Sequence, residues 1–168
     1  LSHKGRCFTF DQSADGFIRS ECVGAMYWRV GTHDDPLFLA ELVGSSCNQD
    51  GRSASLTAPH GPSQQECIKQ SLEEAGVDPL QIQIQELHGT GTALGDPIEV
   101  GALRNTMMTS KGKTRSHPLV KTSSKANIGH SETAAGITGI MKCVIMSCHA
   151  VATPNLHLRL LNPHIADN

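Results

Sequence analysis

The sequence predicts an α/β fold, and two stretches of similar design carry that prediction. Residues 82–85 alternate apolar and polar side chains, as a half-buried strand does. Residues 118–121 form a second short extended run. Each run leads through a polar, glycine-containing loop into a segment with helical features. Because ligands of α/β sheets bind at the loops that follow the strands, we expect the functional residues in these two loops.

The first loop runs from His88 through Gly-Thr-Gly-Thr-Ala-Leu-Gly to Asp96, and a helix start follows it. Asp96 occupies a capping position, a proline follows at the first helical position, and Glu99 comes three residues after the cap. This arrangement is typical of a helix N-terminus. The pattern therefore assigns Asp96 and Glu99 to helix capping and places His88 at the end of a strand.

The second loop contains His130, with Lys125 five residues ahead of it. The segment 132–148 that follows is apolar on most sides, so it predicts a buried helix in which Gly136 and Gly139 permit close packing. A single loop histidine is most simply a polar residue with satisfied hydrogen bonds. Two histidines in matching loops, one with a lysine nearby, favour a shared pocket.

Pattern alone predicts further elements ahead of the first loop. Strands are predicted over residues 23–30 and 38–43, from apolar runs bounded by turn residues. A capping box at Ser63 predicts a helix that stops at Gly76. Cys47, which follows two serines, is assigned to packing among small residues.

Composition excludes several functional classes. The 168 residues are 38% hydrophobic and 18% charged, as in a soluble one-domain protein, and the net charge of −2 gives no argument for nucleic acid or an anionic membrane. The six cysteines show no C-x-x-C pair and predict reduced thiols. The nine histidines show no zinc motif, so no metal site is predicted. Without a signal segment or an apolar span, a cytoplasmic location is expected, with an organelle as the open alternative.

The residues in both loops resemble the β-ketoacyl synthase domain of type I polyketide synthases, and more distantly the condensing enzymes of fatty acid synthesis. Six motifs occur in the order that the family has them, between about Ser2 and Ile165. They are Phe10-Asp-x-x-Ala-Asp-Gly16, Asn48-Gln-Asp-Gly-Arg-Ser53, Leu56-Thr-Ala-Pro59, His88-Gly-Thr-Gly-Thr with Gly95-Asp-Pro-Ile-Glu99, Lys125-x-Asn-Ile-Gly-His130 and Asn155-Leu-His157. The chain departs from the family at Ser20 and Cys22, where glycines are usual.

The resemblance implies a thiolase-like fold with α-β-α-β-α layers, of which this chain is a partial domain. Residues 1–31 would end the N-terminal ketosynthase half, and residues 32–168 would form most of the C-terminal half with both histidine loops. The family's nucleophilic cysteine lies upstream of Ser2, so the chain is expected to be part of a larger protein and inactive alone. Such a piece is expected to expose core surface and to need a partner.

The resemblance also implies a reaction, the decarboxylative Claisen condensation of a malonyl-type extender with an enzyme-bound acyl thioester. His88 and His130 would donate hydrogen bonds to the thioester oxygen, and Lys125 would keep the imidazoles neutral. Thr90 and Thr92 would contact the phosphopantetheine arm, although loop stabilisation is an equal alternative for both. No directly bound cofactor is implied; the partners are an acyl carrier protein, its thioesters and a second copy of the enzyme in a homodimer.

Two alternatives to a catalytic role are open at this point. One is a non-catalytic partner that is structurally similar to condensing enzymes; the presence of His88, Lys125 and His130 together argues against it. The other is a small metal-binding or regulatory domain, which only the counts of histidine and cysteine favour.

Overall fold

The computed structural model describes residues 1–53, 55 and 58–166, so two residues of one motif, Leu56 and Thr57, lie outside it. Regular elements of the described part begin at residue 61 and are mostly short. They are α1 Gly61–Ala75, β1 Ile84–Glu86, α2 Gly95–Met107, β2 Thr109–Ser110, β3 Lys113–Thr114, β4 Val120–Thr122, α3 Lys125–Ile128, α4 Ala135–His149 and α5 Pro163–Ala166.

The strands β1 and β4 pair in parallel, with Glu86 opposite Thr122. A further bond from the Leu87 amide to the Thr122 carbonyl (2.8 Å) extends the pairing by one residue. Because parallel strands end at the same edge of a sheet, the loop after β1 and the loop after β4 lie side by side. The two strand–loop–helix units predicted from the sequence are therefore confirmed, and the shared edge brings their loops together.

The hydrophobic core is centred on α2. Apolar side chains of α2 pack with Leu87 at the end of β1, and α1 covers the outer side of α2 through Ile68 and Leu72. The buried members are Phe10, Leu87, Val100, Leu103, Met107 and Ile165. This cluster fixes where α2 starts, and so it fixes the loop that runs from His88 to α2.

The helix α1 confirms the predicted segment but not its predicted start. It begins at Gly61 with His60 as the N-cap, and the N-cap side chain makes no capping hydrogen bond; Ser63 Oγ instead lies 2.8 Å from His60 Nδ1. The helix ends as predicted at Gly76, whose φ of 64° is left-handed and whose amide donates to the Glu73 carbonyl.

The predicted strands over residues 23–30 and 38–43 are wrong as hydrogen-bonded strands. From Ser20 to Met26 the side chains alternate between half-buried and exposed positions, as in a strand. No strand among the described residues pairs with this segment, and a strand exists only with a partner for its amides and carbonyls. Cys47 is exposed, so its predicted packing role is also wrong.

The segment predicted as a buried helix is helical but largely uncovered. A 3₁₀ turn over Glu132–Ala134 leads into α4, in which only Ala135 and Met146 are buried. Ile140, Met141 and Ile145 are exposed, which matches the apolar surface expected of a partial thiolase-like domain. No helix in the described part is long and apolar enough to cross a membrane.

Candidate active site

The rings of the two histidines predicted to share a pocket are in contact. The His88 and His130 rings have centroids 5.1 Å apart and meet edge to face at 88°. Phe17 makes a second edge contact with the His130 ring, at 4.9 Å. The two imidazoles therefore lie in contact at the carboxyl edge of β1 and β4, although they are 42 residues apart in the chain.

Backbone contacts determine which nitrogen of His130 carries the proton. The Glu132 amide donates to His130 Nδ1 (3.1 Å), so in the neutral ring the hydrogen belongs on Nε2. Glu132 has a positive φ of 49°, and its carboxylate pairs with Arg19 (2.6 Å) beside the site. The His130 amide donates to the Ile18 carbonyl (2.8 Å), which ties the histidine loop to the N-terminal segment. His130 is thus prepared to act as an Nε2–H donor.

Two carboxylates hold the His88 loop, and neither acts as the helix cap that the sequence predicted. Glu99 accepts hydrogen bonds from the amides of His88 (2.6 Å) and Gly89 (2.9 Å). Asp96, which has no exposed surface, accepts from the amides of Phe10 (2.9 Å) and Gly91 (3.1 Å). The N-cap of α2 is Leu94, without a side-chain cap. The capping prediction failed because the loop folds back over the first turn of α2 and supplies amides from outside the helix.

The loop between His88 and α2 depends on a glycine at position 91. Gly91 has a φ of 79°, and a Cβ there would lie 2.7 Å from the backbone nitrogen of Phe8, which cannot move aside as a side chain could. We expect Gly91→Ala to destabilise the protein by about 1–3 kcal/mol, measured as a lower melting temperature.

Gly101→Ala in α2 is the matched control for this glycine, since its Cβ would meet nothing within 4 Å and alanine favours a helix. An equal melting temperature for Gly91→Ala and the unchanged protein would show that the loop tolerates a side chain.

Lys125 is buried at the start of α3, with 4% of its surface exposed. Its ammonium makes no hydrogen bond or ion pair within the described part of the chain, although Glu86 and Glu99 lie close enough to favour the charged form. Burial lowers the pKa of Lys125 below its usual value, and those two carboxylates oppose the effect. The interpretation of this residue as an ordinary surface lysine is thereby excluded.

Both histidines are disfavoured as cations. Much of His88 is exposed, but the atoms packed around its ring partly desolvate it; this desolvation, then the Lys125 charge and then His130, lower the pKa of His88 to about 4. Burial and then Lys125 lower the pKa of His130 as well, and Glu132 opposes the shift. Two neutral imidazoles next to each other and to an ammonium are hydrogen-bond donors for an oxygen that gains negative charge.

Removing the Lys125 charge should raise the pKa of His88 above 4, but not fully to 6.5 because burial remains. The Lys125→Met variant tests this when the histidine signals are followed by NMR as the pH changes. Neutral His88 stabilises the fold fully above its unfolded pKa of about 6.5, and that contribution is lost as the pH falls from 6.5 towards 4.

Lys121→Met is the control for the Lys125 variant. Lys121 lies on β4, where burial and then the charges of Arg104 and Arg115 lower its pKa, and neither histidine is among the causes. An unchanged His88 titration in Lys125→Met, or an equal change in both variants, would contradict the electrostatic role of Lys125.

The two threonines predicted to contact a phosphopantetheine arm bond to the loop itself. Thr90 is buried and its hydroxyl lies 3.3 Å from Thr92 Oγ1, which accepts from the Gly95 amide (3.2 Å). These bonds favour the loop-stabilising alternative, and contact with a substrate arm stays a prediction.

Sequence reasoning missed a buried ion pair beneath the histidines. Glu86, at the end of β1, lies 2.8 Å from the Lys142 ammonium on α4, and their side chains are only 7% and 13% exposed. The available signals were a charged residue at the end of a strand and a lysine inside an apolar helix. A cleft of about 330 Å³ connects Glu86 with His88, Lys125, Gly136 and Cys143. The described residues contain no cluster of three metal-binding side chains.

A wider hollow, of about 640 Å³, lies beside Arg115 and His117 at the opposite end of β1 and β4. It lacks His88 and Lys125, which both line the smaller cleft. We therefore place the chemistry at the smaller cleft, where the perturbed groups converge.

The site thus consists of a histidine pair at the ends of two parallel strands, with a buried lysine beside it. The family model described as "Beta-ketoacyl synthase, C-terminal domain" matches residues 39–159. The chain belongs to the β-ketoacyl synthase family and is a partial ketosynthase domain.

Relatives that match over almost the whole chain include polyketide synthases. Erythronolide synthase EryA2 of Saccharopolyspora erythraea is 44% identical over 98% of the chain, and the match covers 5% of that protein. A phenolphthiocerol/phthiocerol polyketide synthase of Mycobacterium tuberculosis is 42% identical over 98% of the chain and is covered to 9%. The chain thus spans a small part of these relatives.

Two solved ketosynthases share the fold. The ketosynthase from module 6 of the bacillaene synthase of Bacillus subtilis 168 superimposes with a TM-score of 0.80 at 30% identity, over 98% of this chain and 29% of that one. The oxazolomycin ketosynthase domain OzmH KS7 of Streptomyces albus JA3453 gives a TM-score of 0.81 at 29% identity, with the same shares covered. The predicted thiolase-like fold, as a partial domain, is confirmed.

Proposed function

We propose that residues 1–168 are the histidine-bearing portion of a polyketide synthase ketosynthase that catalyses decarboxylative condensation. The observation that carries the proposal is the pairing of His88 with His130 as neutral imidazoles, 5.1 Å apart, beside Lys125. Both would donate hydrogen bonds to the thioester oxygen of a malonyl-type extender. Preorganised donors of this kind act most strongly on the charge that develops in the transition state.

The proposed reaction has two bond-changing steps. Carbon dioxide leaves the malonyl thioester, and the electron pair of the broken carbon–carbon bond forms an enolate whose oxygen the two imidazoles hold. The enolate carbon then attacks the carbonyl carbon of the acyl thioester, and a cysteine thiolate leaves as the new carbon–carbon bond forms. The Lys125 ammonium would favour the negative charge throughout.

The acyl group requires a reactive cysteine, and the thiols near the site are poorly suited. Burial raises the pKa of Cys7 and of Cys143, which favours the unreactive thiol form of each. We therefore place the nucleophile in a segment that residues 1–168 do not include, as the family resemblance implies. The proposed division into residues 1–31 and 32–168, as parts of the two ketosynthase halves, belongs to the same proposal.

The proposed partners are an acyl carrier protein with its phosphopantetheine arm, malonyl-type and acyl thioesters, and a second copy of the enzyme in a homodimer. Relatives named as polyketide synthases support a carrier-bound substrate, and a cytoplasmic location fits such an enzyme.

The test uses the complete protein that carries these residues, with an acyl thioester and a malonyl-loaded acyl carrier protein. We expect one carbon dioxide for each β-ketoacyl product, both measured by mass spectrometry with ¹³C-labelled extender. A complete, folded protein that binds the carrier but releases no carbon dioxide and forms no product would instead identify a non-catalytic partner.

A further inference from the structure

The Glu86 carboxylate joins three elements at the cleft that His88 and Lys125 also line. It accepts hydrogen bonds from the Thr122 hydroxyl on β4 (2.7 Å), from the Ser124 amide and from the Lys142 ammonium on α4 (2.8 Å). Its side chain is 7% exposed. A carboxylate with this many donors is fixed in place.

Lys125 is a buried ammonium without a direct partner among the described residues, which is a costly state unless opposite charge lies near. The negative groups around it are Glu86, Glu99 and Asp96, and the second positive group is Lys142. The other titratable neighbours are His88, His130 and the thiols of Cys7 and Cys143. Glu99 and Asp96 each bond two backbone amides, whereas Glu86 bonds Lys142, so Glu86 is the carboxylate that links Lys125 with α4.

We propose that the Glu86–Lys142 pair is a positioning unit for the site. Glu86 supplies the negative charge that keeps Lys125 an ammonium, and the ion pair with Lys142 prevents the Glu86 carboxylate from pairing directly with Lys125. The Lys125 ammonium is thereby left charged and unpaired at the cleft of about 330 Å³, where it faces the substrate. The role of the Lys125 charge in catalysis rests on the proposed function, whereas the position of the Glu86 carboxylate rests on its observed hydrogen bonds.

The positioning role gives Glu86 and Lys142 opposite effects on Lys125. Without Glu86, two buried ammonium groups face each other and Lys125 loses its proton more easily. Without Lys142, the freed carboxylate can pair with Lys125, which then holds its proton more firmly. An ion pair that only held α4 against β1 would leave the titration of Lys125 unchanged in both variants.

The experiment measures the titration of Lys125 in the complete protein by competitive acetylation with acetic anhydride, followed by peptide mass spectrometry across a pH series. The reagent is small and Lys125 lines the cleft. We expect Glu86→Gln to lower the pH of half-reaction of Lys125 by roughly one unit, about a tenfold loss in proton affinity, and Lys142→Met to raise it. Glu73→Gln, an exposed change on α1, is the control and should have no effect.

Activity supplies the second readout. As the pH rises, the condensation rate should begin to fall at a lower pH in Glu86→Gln than in the unchanged protein. When Lys125 is also replaced by Met, the Glu86→Gln change should no longer shift this pH. An unchanged Lys125 titration in Glu86→Gln overturns the inference. If that variant does not fold, the inference is overturned when Lys125 in Lys142→Met titrates at the same pH as in the unchanged protein or at a lower pH. Absence of carbon dioxide release by the unchanged protein overturns the proposed function instead, and the acetylation result still decides the role of Glu86.

Discussion

Replacing either His88 or His130 with alanine should lower malonyl decarboxylation by the complete protein ~100- to 1,000-fold, the usual loss when one oxyanion donor is removed. The two rings meet 5.1 Å apart, and the Glu132 amide leaves the proton of His130 on Nε2. Each variant removes one donor and leaves the other. The measurement is release of labelled carbon dioxide from a malonyl-loaded carrier, under single-turnover conditions that isolate the chemical step.

His149→Ala is the matched control for these variants, because His149 lies exposed at the end of α4 and outside the cleft. It should decarboxylate at the unchanged rate. Full activity in His88→Ala or His130→Ala, with the fold intact by circular dichroism, would remove the basis of the proposed mechanism.

Asp96→Ala is expected to produce the largest loss of stability, about 2–4 kcal/mol. Asp96 has no exposed surface, and its two oxygens satisfy the amides of Phe10 and Gly91. Alanine would leave both buried amides without a partner and would release the N-terminal segment from the His88 loop. The readouts are the melting temperature and the rate of hydrogen exchange at the Phe10 and Gly91 amides, which should rise first.

Asp34→Ala provides the comparison for Asp96, since Asp34 is exposed and makes no hydrogen bond or ion pair with the described residues. It should melt as the unchanged protein does. Equal protection of the Phe10 and Gly91 amides in Asp96→Ala would show that other contacts hold the loop.

Local pattern was sufficient to predict the parts of the fold that place the histidines. Alternation before His88 and the extended run before Lys121 each predicted a strand, and parallel pairing then put both following loops at one edge. The same reasoning predicted that His88 and His130 share a pocket. The two rings do meet, because the strand ends, rather than distant contacts, determine where those loops lie.

Features that depend on tertiary partners were not predictable from the sequence. Asp96 and Glu99 have the spacing of helix caps, yet amides from the loop and the N-terminal segment bind them. The runs at 23–30 and 38–43 have strand-like patterns but no pairing strand in the described part of the chain. Glu86 and Lys142 meet only because β1 packs on α4, 56 residues further along.

A double-mutant cycle on the two histidines tests most directly whether they act on one oxygen. Decarboxylation rates of the complete protein are measured for His88→Ala, His130→Ala and the double variant, with its fold verified in each case. We expect the double variant to be much more active than the product of the two single losses predicts, because residues that act as a unit are strongly non-additive. Losses that multiply fully would mean that His88 and His130 act independently, which would contradict a shared oxyanion site.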